Sequence, residues 1–244
     1  MNNIKLTTTI ALACTFACGS EDNVQFGHST SSIHAWGPYH WEKGEGELLL
    51  NLGDNLSSKW QAHLVQASAD WNVSTVVETT VVDGHSNRNC KPVNGRVEVC
   101  NGKYGQTGWL GIAQIWLDGD HIVKAVTKVN DTYFDLPQYN TPAWRQLVMC
   151  QEIAHDFGLG HQDEDFNNPN LGTCMDYTSD PSTNTVPNAH DYEQLEIIYD
   201  HVETPPGEEP PTGGCFPPNS KKCRARWTLI EHIFPVPDLD EHKH

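Results

Sequence analysis

Basic residues are scarce in this chain: 15 Lys and Arg stand against 32 Asp and Glu, a formal net charge of −17 at pH 7. Nucleic acid is therefore not an expected partner, because no patch of cations exists to neutralise phosphates. From Cys150 to Asp200 the scarcity is complete, with eleven acidic residues and no Lys or Arg. A run of this kind first of all keeps a surface solvated; it would also draw in cationic peptides at long range. Long apolar stretches are missing as well. Ile10 to Ala17 is apolar but too short to cross a membrane as a helix, and no other stretch qualifies. No internal repeat is present.

What remains describes a globular chain. Its 244 residues, 37% of them hydrophobic and 8 of them Trp, suffice for one domain with a sizeable core, expected to be a monomer. Lys5 followed by the apolar segment reads as a signal peptide over residues 1–18. Ala17-Cys18-Gly19-Ser20 resembles the end of a bacterial lipoprotein signal, which leaves two outcomes open: acylation of Cys18, or simple cleavage nearby. Membrane attachment would come only through that lipid. Six of the 8 cysteines then remain, with 15 connectivities. Proximity in sequence selects Cys90–Cys100, Cys150–Cys174 and Cys215–Cys223. Disulfides belong to oxidising compartments, so the expected location is secreted or otherwise extracytoplasmic.

Composition divides the chain. Residues 19–36 are Ser- and Thr-rich and read as a tether, 37–202 as the main domain. The Pro- and Gly-rich stretch 203–214 is a linker. Residues 215–244 are too few for a core of their own; within them Trp227 to Val236 reads as one strand or as a segment docked on the main domain. Inside that domain, Trp41 to Leu52 is a strand region. Asn55 to Trp71 has helical spacing through Leu56, Trp60, Leu64 and Ala67, and Val73 to Val82 is a β-branched strand. Cys90 to Cys100 forms a closed loop or hairpin. Trp109 to Trp116 and His121 to Val129 are strands joined around Asp118-Gly119-Asp120, whose Asp-Gly step marks a turn. His190 to His201 is a final helix.

The chemistry concentrates in Gln151-Glu152-Ile153-Ala154-His155-Asp156-Phe157-Gly158-Leu159-Gly160-His161. Thr141 caps the helix that carries it, Pro142 occupies the first turn, and Trp144, Leu147, Val148 and Ile153 form an apolar stripe. Residues four apart on a helix lie about 40° apart around its axis, so Gln151 and His155 project toward a shared point. Gly158 turns the chain sharply and brings His161 round to them. This is the extended H-E-x-x-H pattern of zinc hydrolases with Gln in place of the first His. Glu152 is then the general base and His155 and His161 are metal ligands. Gln151 has the reach to coordinate through its carbonyl oxygen, but a neutral amide donates weakly, and zinc sites use mostly nitrogen, sulfur and carboxylate. The site thus has Gln151 as a weak third ligand, or only two protein ligands. Cys150 is chemically a better donor, yet it sits about 140° around the helix from His155 and points away.

Together with Thr173-Cys174-Met175-Asp176-Tyr177, this pattern resembles the metzincin zinc metallopeptidases, matrixins especially. The resemblance implies an α+β zincin fold: a twisted sheet, an active-site helix and a C-terminal helix. It implies that Met175 forms a methionine turn under the metal, that Tyr177 approaches the metal or the oxyanion, and that Zn²⁺ is the cofactor. It also implies a peptide or protein substrate, laid as an added strand along an edge strand for which Gly108 to Gln114 is the candidate. Asp163, Glu164 and Asp165 are a candidate Ca²⁺ site. No cysteine-switch propeptide is apparent. A Cys150–Cys174 bond would tie the active-site helix to the methionine turn. Two functions follow: a zinc endopeptidase, or a metal-impaired relative that binds peptides or proteins without cutting them.

Overall fold

The computed structural model describes residues 33–85, 90–200 and 227–237. The signal peptide, Cys18, most of the tether, the linker and the Cys215–Cys223 pair lie outside these residues. A mixed sheet runs in the order β3-β2-β4-β6-β5-β7, built from β2 (Leu48–Asn55), β3 (Val77–Asp83), β4 (Arg96–Gly102), β5 (Trp109–Asp118), β6 (His121–Asn130) and β7 (Thr228–Pro235). A two-residue strand, β1 (His40–Trp41), pairs with the start of β6. Strands β3, β2, β4 and β6 are parallel neighbours. Strand β5 runs antiparallel to β6 on one side and to β7 on the other.

Helix α1 (Ser58–Trp71) crosses between the parallel strands β2 and β3. Trp60, Leu64, Ala67 and Trp71 recur at helical spacing and are fully buried, the apolar stripe that seats a helix on a sheet. The buried indole N–H groups need acceptors. Trp60 donates to Asp131 Oδ1 at 2.9 Å and Trp71 to the Cys150 carbonyl at 3.1 Å. The second bond ties α1 to α3 (Pro142–His155), the central helix. There Thr141 Oγ1 accepts from the Trp144 amide at 3.2 Å, and Pro142 at the first position wastes no hydrogen bond. A short helix α2 (Asp131–Phe134) precedes α3, and α4 (Ala189–Tyr199) closes the domain behind a capping box on Asn188 and Asp191.

The expected α+β fold is present, with three differences of detail. The Trp41–Leu52 region is two strands, separated by the irregular residues 42–47 and paired with different partners. Cys90 to Cys100 is no hairpin: its second half belongs to β4, a strand inside the parallel part of the sheet. Charged residues disguise it, since Arg96 and Glu98 sit within one strand and pair at 2.7 Å. Finally, Trp227 to Val236 both forms a strand and docks, becoming the edge beyond β5.

At the end of α3 the backbone takes φ +94° at Gly158, where an added Cβ would lie 2.1 Å from the Tyr39 carbonyl oxygen. The Gly158 carbonyl accepts from the Trp36 amide at 2.7 Å, fixing that close approach. Gly158→Ala therefore combines a left-handed backbone with a backbone clash, and should cost at least about 2 kcal/mol. Urea unfolding at constant slope checks the value.

Candidate metal centre

Helix α3 is buried on nearly every side, and Gln151, Glu152 and His155 have no solvent exposure. The His155 Nδ1 lies 2.7 Å from the Leu159 carbonyl. A carbonyl only accepts, so Nδ1 carries the proton and Nε2 is left with its lone pair. After the turn at Gly158, His161 repeats the arrangement, with Nδ1 2.9 Å from Glu164 Oε1. The two Nε2 atoms then face each other at 3.0 Å. Burial pushes both rings well below the usual imidazole range, helped by neighbouring imidazoles, so neither is readily protonated. Two lone pairs aimed together in a dry site call for a cation. In a tetrahedral zinc site with bonds of about 2.0–2.1 Å, ligand nitrogens stand roughly 3.3 Å apart, close to what is seen.

A third imidazole joins them from β7. The ring of His232 stacks on His155 at 4.0 Å between centroids, with planes 2° apart, and stands edge-on to His161 at 4.2 Å. Burial lowers its pKa to about 4. The ligand atoms of His155, His161 and His232 all lie within 4.8 Å of one another, the only such group of three His, Cys, Asp or Glu among the described residues. Nothing in the sequence marked His232. It lies far from the motif, in no recognisable spacing, and only the pairing of β7 with β5 brings it in.

Gln151 sits one turn before His155 on α3. Its Nε2 donates to the Cys174 carbonyl at 2.7 Å, while its Oε1 is buried without a hydrogen-bond partner. Glu152 is enclosed, and neither of its oxygens has a partner. Burial first, and Asp156 second, push its carboxyl well above the usual range. The Ala113 and Phe234 amides face it and pull the other way without closing a hydrogen bond. Gly111 of β5 makes room: a Cβ there would come 2.5 Å from Glu152 Oε1 and 2.6 Å from Val148.

The residues expected to form a methionine turn, Thr173 to Tyr177, lie beside this centre. Met175 is fully buried, and its carbonyl accepts from the Gln162 amide at 2.6 Å, next to His161. Asp191 of α4 fixes the turn, accepting from Thr173 Oγ1 at 2.5 Å and Gln162 Nε2 at 2.7 Å. The Tyr177 ring lies 4.3 Å from that of His161 and stacks on Phe166. Its hydroxyl, held protonated by burial, donates to the Ile233 carbonyl at 2.9 Å. Among the described residues two disulfides are present, Cys90–Cys100 and Cys150–Cys174. The second joins α3 to the methionine turn and removes Cys150 as a ligand. Asp163, Glu164 and Asp165 do not converge: Asp163 accepts from the Asp165 amide and Glu164 from His161.

No protein-family model matches the chain, and no curated sequence matches it. Among solved structures the chain is similar to myroilysin, with a TM-score of 0.40 and 9% identity over 68% of this chain and 84% of that one. It is also similar to high choriolytic enzyme 1, a hatching-enzyme zinc protease of the medaka fish Oryzias latipes. There the TM-score is 0.36 and identity 12%, over 66% of this chain and 94% of the other. At overlaps this loose, what those proteins cleave says nothing of this chain.

The Cys150–Cys174 bond closes a sequence separation of 24 residues. Replacing both cysteines with Ala should cost about 3 kcal/mol, chiefly through the freer unfolded chain. Denaturant titration of the double variant against wild type measures it.

Proposed function

We propose that this protein is an extracytoplasmic zinc-dependent endopeptidase. The observation that carries the reading is the pair of unprotonated Nε2 atoms facing each other at 3.0 Å, one turn of α3 from a buried and unpartnered Glu152. His155 and His161 would hold the ion, and the third donor is either Gln151 or His232. Bound zinc would supply a Lewis acid that polarises a peptide carbonyl and acidifies a water. Glu152 takes the proton from that water and returns it to the leaving amine, a role suited to a carboxyl with raised pKa. Tyr177 offers a phenolic hydrogen bond to the developing oxyanion. The expected substrate edge, Gly108 to Gln114, is not an open edge, because β7 pairs along the outer side of β5; a peptide held there in extended form would have to take the place of β7. The two disulfides fit an oxidising compartment, and no described helix is long and apolar enough to cross a membrane.

A second reading, a peptide-binding relative that does not cut, is favoured by one observation: β7 lies over Glu152 and fills the β5 edge. Glu152→Gln separates the two, because it keeps the side chain's size and removes the base. For an endopeptidase, cleavage of a broad peptide library should fall by about 10²–10⁴-fold while zinc content stays unchanged. Cleavage unaffected by the substitution places the chemistry elsewhere. No cleavage by zinc-loaded wild type across the library favours the binding module.

A further inference from the structure

The catalytic helix offers one imidazole fewer than a three-histidine site needs. Gln151 occupies the vacant helical position, but one end of its amide is spent on the Cys174 carbonyl and the other is a neutral oxygen, a weak donor for zinc. His232 sets a third imidazole beside the two that already converge; its ring is stacked on that of His155, so a turn about its Cβ–Cγ bond is what would aim a ring nitrogen at the same ion. Its approach is dictated by β7. In the antiparallel register His232 lies opposite Ala113, Ile233 opposite Ile112 and Phe234 opposite Gly111. Side chains alternate across a strand, so His232 and Phe234 share the inner face, while Ile233 is 42% exposed. Phe234 is fully buried and packs beside Trp144, Phe166 and Tyr177. The strand is fastened at both ends. Trp227 lies under the Lys124 ammonium, 3.4 Å from ring centroid to Nζ, and the Val236 amide donates to the Gly108 carbonyl at 3.0 Å.

We propose that His232 is the third metal ligand, and that β7 is consequently a metal-locked strap lying along the edge where a substrate peptide would bind. The inference rests on the reading of His155 and His161 as metal ligands. Its second half follows from position. The same eight residues that deliver the imidazole pair with β5 from Trp109 to Leu117. They engage the Tyr177 hydroxyl through the Ile233 carbonyl and close over Glu152. Metal binding and strap docking therefore favour each other, and by linkage a peptide that takes the β5 edge weakens both.

Zinc affinity of the full-length protein, measured by competition with a chromophoric chelator, tests the ligand. A direct ligand should cost more than the roughly 10–100-fold typical of an outer-shell partner. His232→Ala is thus expected to weaken Zn²⁺ binding by more than about 100-fold, as His155→Ala does, while Gln151→Ala has a smaller effect. Full-length His232→Cys loaded with Co²⁺ should show a thiolate-to-metal charge-transfer band, a signature only direct coordination gives. Amide exchange over residues 228–235 should slow on adding Zn²⁺ to wild type and not to His232→Ala. Wild-type affinity in His232→Ala, no such band in the Cys variant, or zinc-independent exchange of β7 overturns the proposal. Zinc binding that survives loss of His232 but not of His155 sinks this inference alone; no zinc bound by wild type sinks the endopeptidase reading with it.

Discussion

Helix α3 carries Gln151, Glu152 and His155, with Asp156 as its C-cap, and all four are fully buried. Polar and ionisable groups taken out of water cost several kcal/mol unless something nearby replaces the water. The surrounding core does this only in part. Asp156 accepts from Thr127 Oγ1 at 2.6 Å, and the Gln151 amide nitrogen reaches the methionine turn. Both Glu152 oxygens and the Gln151 carbonyl oxygen are left without partners. Unmet demand concentrated along a short stretch of one helix is tolerated because the helix has no freedom to escape it. Helix α1, the sheet, the disulfide to Cys174 and the cap at Thr141 all fix its position. The remainder of the site can be understood as what gathers around that deficit.

The scaffold on the far side of the centre is built with equal redundancy. Asp191 caps α4 through the Asn188 amide at 2.7 Å and also holds Thr173 and Gln162. One carboxylate thus sets the start of a helix, the methionine turn and the loop after His161. A residue with three such duties is positioned by the fold rather than by local preference. Its charge is absorbed by donors on every side, which is what permits its complete burial.

Features specified by neighbours in sequence were legible without coordinates. The cap at Thr141, the proline after it, the glycine that ends α3 and the Asp-Gly turn between β5 and β6 are all short-range devices. The spacing of Glu152, His155 and His161 is another. The Cys90–Cys100 stretch is a closed loop as expected, but strand β4 within it went unseen because Arg96 and Glu98 look like surface residues. They pair with each other, Glu98 accepts from Asn55 and the His85 amide, and Arg96 donates to the Asp83 carbonyl. His232 was invisible for a different reason. A single histidine among Leu229, Ile230, Ile233 and Phe234 carries no periodic or motif signal, and its partner strand lies more than a hundred positions earlier. Sheet pairing of that range is set by the whole fold.

That long reach has a bearing on how the protein is made. Chains emerge from the ribosome in order, and contacts between remote segments form late because closing a large loop is entropically slow. Strand β5 and helix α3 are both synthesised well before β7, the last described strand. Until β7 is in place the outer edge of β5 is therefore open, and His155 and His161 stand without the neighbouring ring of His232. Only when β7 folds back does the edge of the sheet acquire its final neighbour. The nascent protein thus passes through a stage at which the β5 edge is free, and it closes that edge with a strand of its own.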